Sequence, residues 1–88
     1  METIKHDQLK ILVENNGVRS VTMAGTTGGF FLNVSTISGD KLLHTKTGEA
    51  RLFKKADALI GYLKGELGIA KATVKFDRWD PEQQALKA

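Results

Sequence analysis

The sequence contains no cysteine, a single proline and no long hydrophobic run. Without cysteine neither a disulfide framework nor a thiolate metal site can form, so packing has to stabilise the fold. Of 88 residues 41% are hydrophobic, which excludes a disordered tail, and no apolar run approaches the ~20 residues that cross a bilayer. We therefore expect a single cytoplasmic domain over residues 1–88, with an ordered core at 4–80, a short tail at 81–88 and no membrane partner.

Positive charge is concentrated in one part of the chain. The net charge is +3, yet between positions 41 and 55 five basic residues stand against one acidic residue. Two interpretations are open. The first is a solvated edge strand whose lysines prevent edge-to-edge aggregation, and the second is a patch that faces a polyanion. The basic residues are Lys41, Lys46, Arg51, Lys54 and Lys55.

The hydrophobic pattern of the first half predicts one helix and three strands. Leu9, Leu12 and Val13 have the spacing of one helix face, and the Asn16-Gly17 pair can end that helix. Alternating segments at 18–24, 30–37 and 41–47 then predict strands joined by short glycine-rich turns. Because such turns cannot carry a parallel crossover, we expect an antiparallel meander.

The second half predicts a helix and a final strand. An apolar stripe at helical spacing runs over 55–67, and the alternation of 73–76 directs Val74 and Phe76 inward. The predicted fold class is α+β, an antiparallel sheet (the three-stranded meander plus the final strand) packed with two helices in the order αβββαβ. The predicted core contains Leu32, Val34, Leu59, Leu63, Val74 and Phe76.

Catalytic residues are not indicated. His6 and His44 are the two histidines, they fall in different elements, and neither has a serine, carboxylate or second histidine at the spacing of a triad or a metal site. The glycine-rich loop at 25–29 lacks the lysine and following helix of a phosphate-binding loop. We expect a protein that is not an enzyme and has no cofactor, no metal and no small-molecule substrate.

Two classes of binding protein remain. A sheet backed by helices can lay its open face on a nucleic-acid duplex, with the basic residues of positions 41–55 on phosphates. Alternatively, Phe31 and Ile37 on the second sheet face, with Trp79, form an apolar contact for another protein or for a second copy of the chain.

Short segments are similar to known nucleic-acid-binding domains. Residues 48–59, a basic strand that ends in an aromatic residue and continues into an alanine-rich helix, resemble the arm-binding domains of phage integrases. The αβββα order with Lys54-Lys55 at the second helix start resembles a double-stranded RNA-binding domain.

A third resemblance covers about residues 7–81. It is carried by Gly29-Phe30-Phe31, Arg51-Leu52-Phe53, Leu67-Gly68-Ile69, and Phe76-Asp77 followed by Trp79 and Pro81. These segments resemble the small partition-associated (ParC-like) proteins of bacterial plasmids and integrating conjugative elements. The resemblance implies an accessory role in the maintenance of a mobile element, acting on DNA or on partition proteins. It supplies no active site.

Overall fold

The computed structural model describes residues 2–77. They form a five-stranded sheet and two helices in the order βαβββαβ. The strands are β1 (Glu2–Ile4), β2 (Val18–Thr26), β3 (Gly29–Thr36), β4 (Gly39–Leu43) and β5 (Thr73–Lys75). The helices are α1 (His6–Glu14) and α2 (Ala56–Gly61), and α2 continues as the π-helical segment Tyr62–Glu66.

The predicted αβββαβ antiparallel sheet is wrong, because the sheet is mixed and begins with a strand. The strand order is β1-β4-β3-β2-β5, with β1 parallel to β4 and β5 parallel to β2, while β3 is antiparallel to both of its neighbours. Strand β1 has three residues, too few to show an alternating pattern. Its pairing joins Glu2 to Lys41, a contact between residues 39 positions apart that no local sequence pattern predicts.

Both helices belong to crossovers of the same kind. The connections β1-α1-β2 and β4-α2-β5 each join parallel strands and each move three positions across the sheet in the same direction. Crossovers of one hand then place their helices on one face. Leu9 of α1 and Leu59 of α2 are fully buried in the same hydrophobic cluster, as this geometry requires.

The core lies between the helices and one face of the sheet. Leu32, Val34, Leu59 and Leu63 are buried as predicted, but Val74 and Phe76 are 46% and 65% exposed, so that part of the predicted core is wrong. Val74 pairs with Met23, which is buried. The helical layer therefore covers β2 and leaves the outer strand β5 largely uncovered. Among residues 2–77 the buried hydrophobic residues are Ile4, Leu9, Val21, Met23, Phe30, Leu32, Val34, Leu43, Phe53, Leu59, Tyr62, Leu63 and Leu67.

One glycine determines how the chain approaches the sheet after β4. Gly29 has a φ of 146°, and a Cβ there would lie 2.3 Å from the carbonyl oxygen of Phe53. The next residue, Phe30, exchanges two backbone hydrogen bonds with Phe53, each 2.8 Å long. Only glycine permits this approach, which holds the segment around Phe53 against the end of β3.

No helix within residues 2–77 has both the length and the apolar character needed to span a bilayer. The tail predicted at 81–88 lies outside the described residues.

Candidate functional site

A cleft of about 580 Å³ opens where the start of α1, the segment before α2 and the π-helical segment meet. We call it the Arg51 cleft. It is lined by His6, Arg51, Phe53, Ala58, Gly61, Tyr62 and Glu66.

The segment 50–53 reaches the cleft as an extension of the sheet. Ala50 forms an antiparallel bridge with His44, and Phe53 forms one with Phe30. Between them the amide of Arg51 donates a hydrogen bond to the carbonyl of Leu43, at 3.0 Å. Backbone pairing at these three points fixes where the Arg51 side chain begins.

Tyr62 closes the inner wall of the cleft. It begins the π-helical segment and is only 7% exposed, and its hydroxyl shares a 2.7 Å hydrogen bond with Nδ1 of His6. Its ring also packs against Phe53, with 5.4 Å between centroids and an interplanar angle of 44°. Single π-helical turns are frequent at functional sites because they re-aim side chains out of the regular helical stagger.

The Arg51 guanidinium lies over two aromatic rings. Its Cζ is 4.8 Å from the centroid of Phe53 and 4.8 Å from that of Tyr62. At this distance the ring faces attract the cation, and its N–H groups can still donate to an acceptor. Among residues 2–77 no carboxylate lies within ion-pairing distance of Arg51. The half-buried positive charge of Arg51 is therefore held in place without being neutralised.

Tyr62 remains a neutral phenol in this setting. Burial raises its pKa above the ordinary value of 10.0; the nearby Arg51 opposes that change and Glu66 adds to it. The cleft thus presents a fixed cation, a phenolic hydroxyl and an imidazole. These groups suit an anion such as phosphate, and Glu66 makes one side of the rim unfavourable to it. Within the described residues no three histidine or acidic side chains come together as metal ligands.

The predicted basic residues are separated by the fold. Lys41 of β4 forms an ion pair with Glu2 of β1, and its side chain is only 16% exposed. Lys46 lies exposed in the loop after β4, while Lys54 and Lys55 are exposed between Phe53 and α2. Their role as nucleic-acid ligands stays a prediction, with Arg51 the member that the structure places in a formed cleft.

The predicted apolar surface is also dispersed. Phe31 is half-buried on the helix-free face of the sheet, opposite Ala24, whereas Ile37 is 82% exposed in the turn between β3 and β4. Trp79 lies outside the described residues. The rest of that face on β2 and β3 carries mainly small polar side chains, namely Ser20, Thr22, Asn33 and Ser35.

Sequence reasoning missed His6 and Tyr62. They are 56 positions apart in the sequence. Each lies in a helix, and the hydrophobic periodicity of a helix does not show that a histidine or a tyrosine belongs to a site. The only sequence signal for the cleft is the Arg51-Leu52-Phe53 triplet, in which cation and aromatic residue alternate on one side of an extended segment.

Comparison of the chain with protein-family models, curated proteins and solved structures finds no match. The function is therefore argued from the residues of the chain itself, and the resemblance to partition-associated proteins stays a prediction.

Proposed function

We propose that this chain is a non-enzymatic binding protein that holds a phosphate of nucleic acid in the Arg51 cleft. The observation that carries the proposal is the Arg51 guanidinium, positioned by two aromatic rings and left without a carboxylate partner among residues 2–77. A preorganised guanidinium loses little freedom when it binds a phosphate bidentately.

Nucleic acid is favoured over an isolated anion because more positive charge lies beside the cleft in the chain. Lys54 and Lys55 follow Phe53 directly and are exposed, so they can contact phosphates on either side of the one at Arg51. Contacts of this kind bind the backbone and carry no sequence preference. A role on DNA fits the predicted accessory function in a bacterial mobile element, and we place that role in the cytoplasm, where a chain without cysteine requires no oxidising conditions.

The experiment is a titration of a fluorescently labelled duplex by anisotropy at several salt concentrations. Arg51→Gln removes the guanidinium, and Lys75→Gln removes the same charge from the helix-free face of the sheet. Hydrogen bonds to charged groups contribute about 1.5–3 kcal/mol, so Arg51→Gln should weaken binding roughly tenfold or more. The slope of log affinity against log salt should shrink by about 0.9 for each duplex phosphate that the variant no longer binds.

Lys75→Gln should bind as the wild type does. If Lys75→Gln weakens binding and Arg51→Gln does not, the helix-free face and not the cleft carries the nucleic acid. Absence of wild-type binding at low salt overturns the proposal. Melting temperatures of both variants show whether weaker binding reflects unfolding of the chain.

A further inference from the structure

Strand β5 lies at one edge of the sheet formed by residues 2–77. It pairs through Thr73, Val74 and Lys75 with β2 on one side, and within residues 2–77 nothing pairs with its other side. Natural sheets protect such edges with charge, proline or a covering segment, because unpaired N–H and C=O groups recruit other strands.

The edge is also apolar on the helical side. Val74 is 46% exposed and Phe76 is 65% exposed, and beside them runs a groove of about 270 Å³. The groove is lined mostly by apolar side chains, and Lys64 and Lys71 also line it; the apolar members include Met23, Ile60, Leu63, Ile69, Ala72 and Val74. Ile60 is itself 51% exposed. An unpaired strand beside an apolar groove is the arrangement to which a further strand adds, with backbone hydrogen bonds along the edge and side chains in the groove.

The sequence of the edge is complementary to itself. Strand β5 covers Thr73–Lys75, and Asp77 lies in a turn. When antiparallel pairing with a second copy, Val74 opposite Val74, extends the strand by two residues at each end, Lys71 stands opposite Asp77 at both ends. In the same register Ala72 stands opposite Phe76, a small side chain against a large one. Opposite charges and size-matched apolar pairs are the cross-strand combinations that stabilise antiparallel pairing.

We propose that two copies of this chain associate through antiparallel pairing of their β5 strands, with Val74 on the two-fold axis. Each Phe76 then lies against Ala72 of the other copy and covers the apolar groove there. A two-fold interface has to be complementary to itself, and the symmetric Lys71 and Asp77 pairs meet that requirement, so a second copy is the occupant that the charges favour. The inference uses no residue of the Arg51 cleft and does not depend on the proposed function.

The experiment measures the dimerisation constant of the full chain by sedimentation equilibrium, without nucleic acid. Lys71→Asp leaves two acidic residues facing each other at each end of the interface, and Asp77→Lys leaves two lysines. Either change alone should weaken dimerisation by roughly tenfold or more, because two favourable pairs become two repulsive pairs. An equimolar mixture of the two variants should associate, since each repulsive pair becomes an opposite-charge pair in the heterodimer.

The double variant Lys71→Asp/Asp77→Lys is the matched control, and it should regain dimerisation close to that of the wild type. Phe76→Ser tests the apolar contact separately and should weaken the dimer with only a small loss in the melting temperature of the dilute monomer, since Phe76 is largely exposed in one copy. A wild type that is monomeric at every concentration overturns the proposal. So does a mixture of the two single variants that associates no better than either variant alone.

Discussion

Replacing Leu63 by alanine tests the packing of the π-helical segment on the sheet. Leu63 is 3% exposed and belongs to the single hydrophobic cluster. Truncation of a buried leucine costs about 2–5 kcal/mol, from reduced burial and from the cavity left behind. A domain of this length has a total stability of about 4–13 kcal/mol, so the substitution removes a large part of it.

The matched control is Phe76→Ala, because the sequence predicts burial for both residues, Leu63 from the helical stripe and Phe76 from the alternation of the last strand. Full burial of a phenylalanine contributes about 1.5–3 kcal/mol. Phe76 is 65% exposed, so roughly a third of that value, about 0.5–1 kcal/mol, is at stake in one copy of the chain. The structure therefore predicts two very different costs where the sequence pattern predicts similar ones.

The assay is thermal and urea unfolding followed by circular dichroism, at a concentration low enough to keep the chain monomeric. Leu63→Ala should lower the melting temperature by at least about 8 °C, since each kcal/mol shifts a domain of this size by about 4–8 °C. Phe76→Ala should lower it by about 2–8 °C, roughly a quarter of the loss in Leu63→Ala at the same shift per kcal/mol. Equal losses for the two variants would refute the placement of the helical layer over β2 and short of β5.

Three further substitutions test the cleft, the helix that forms it and the close approach at Gly29. Tyr62 is the single tyrosine, so ultraviolet absorbance in alkaline titration should show its pKa above 10.0. Because the folded state holds the phenolic proton more tightly than the unfolded state, the free energy of unfolding should be constant up to about pH 10 and fall at higher pH. Tyr62→Phe should remove that fall. A midpoint at or below 10.0 would contradict the burial of Tyr62. Gly65→Ala should raise the free energy of unfolding by about 0.4–1 kcal/mol, since a Cβ there meets nothing within 4 Å. Gly29→Ala should lower the free energy of unfolding, because its Cβ would lie 2.3 Å from the carbonyl oxygen of Phe53. A loss of stability in Gly65→Ala equal to that in Gly29→Ala would show that the helix packs more closely than described.

The alternating pattern of β3 could be interpreted from the sequence alone. Phe30, Leu32, Val34 and Thr36 are all buried, because a strand with a period of two presents the same face at every second residue. The same rule places Val74 on the helical side of β5, which is correct, since its partner Met23 is buried. Alternation predicts on which face of the sheet a side chain lies. Whether that side chain is buried depends on how far the helices extend across the face.

The parallel pairings and the cleft could not be predicted in this way. Strand β1 is recognisable only through its contact with β4, and the contact of His6 with Tyr62 joins two helices from opposite halves of the chain. The sequence predicts Arg51 only as one cation among five. Arg51 differs from the other four because its guanidinium lies over the rings of Phe53 and Tyr62. The position of Phe53 depends on the close approach of Gly29, and that of Tyr62 on the π-helical turn.

The strand order also has a consequence for the route by which the chain folds. Strands β2, β3 and β4 are neighbours in both sequence and sheet, so short loop closures bring them together, whereas pairing Glu2 with Lys41 or Thr22 with Thr73 closes long loops. Long loop closures are entropically costly and slow, which places the two outer strands late in folding. The helices that carry His6 and Tyr62 lie within those two late connections. We therefore expect the Arg51 cleft to be assembled among the last steps of folding, because its walls come from both of these connections.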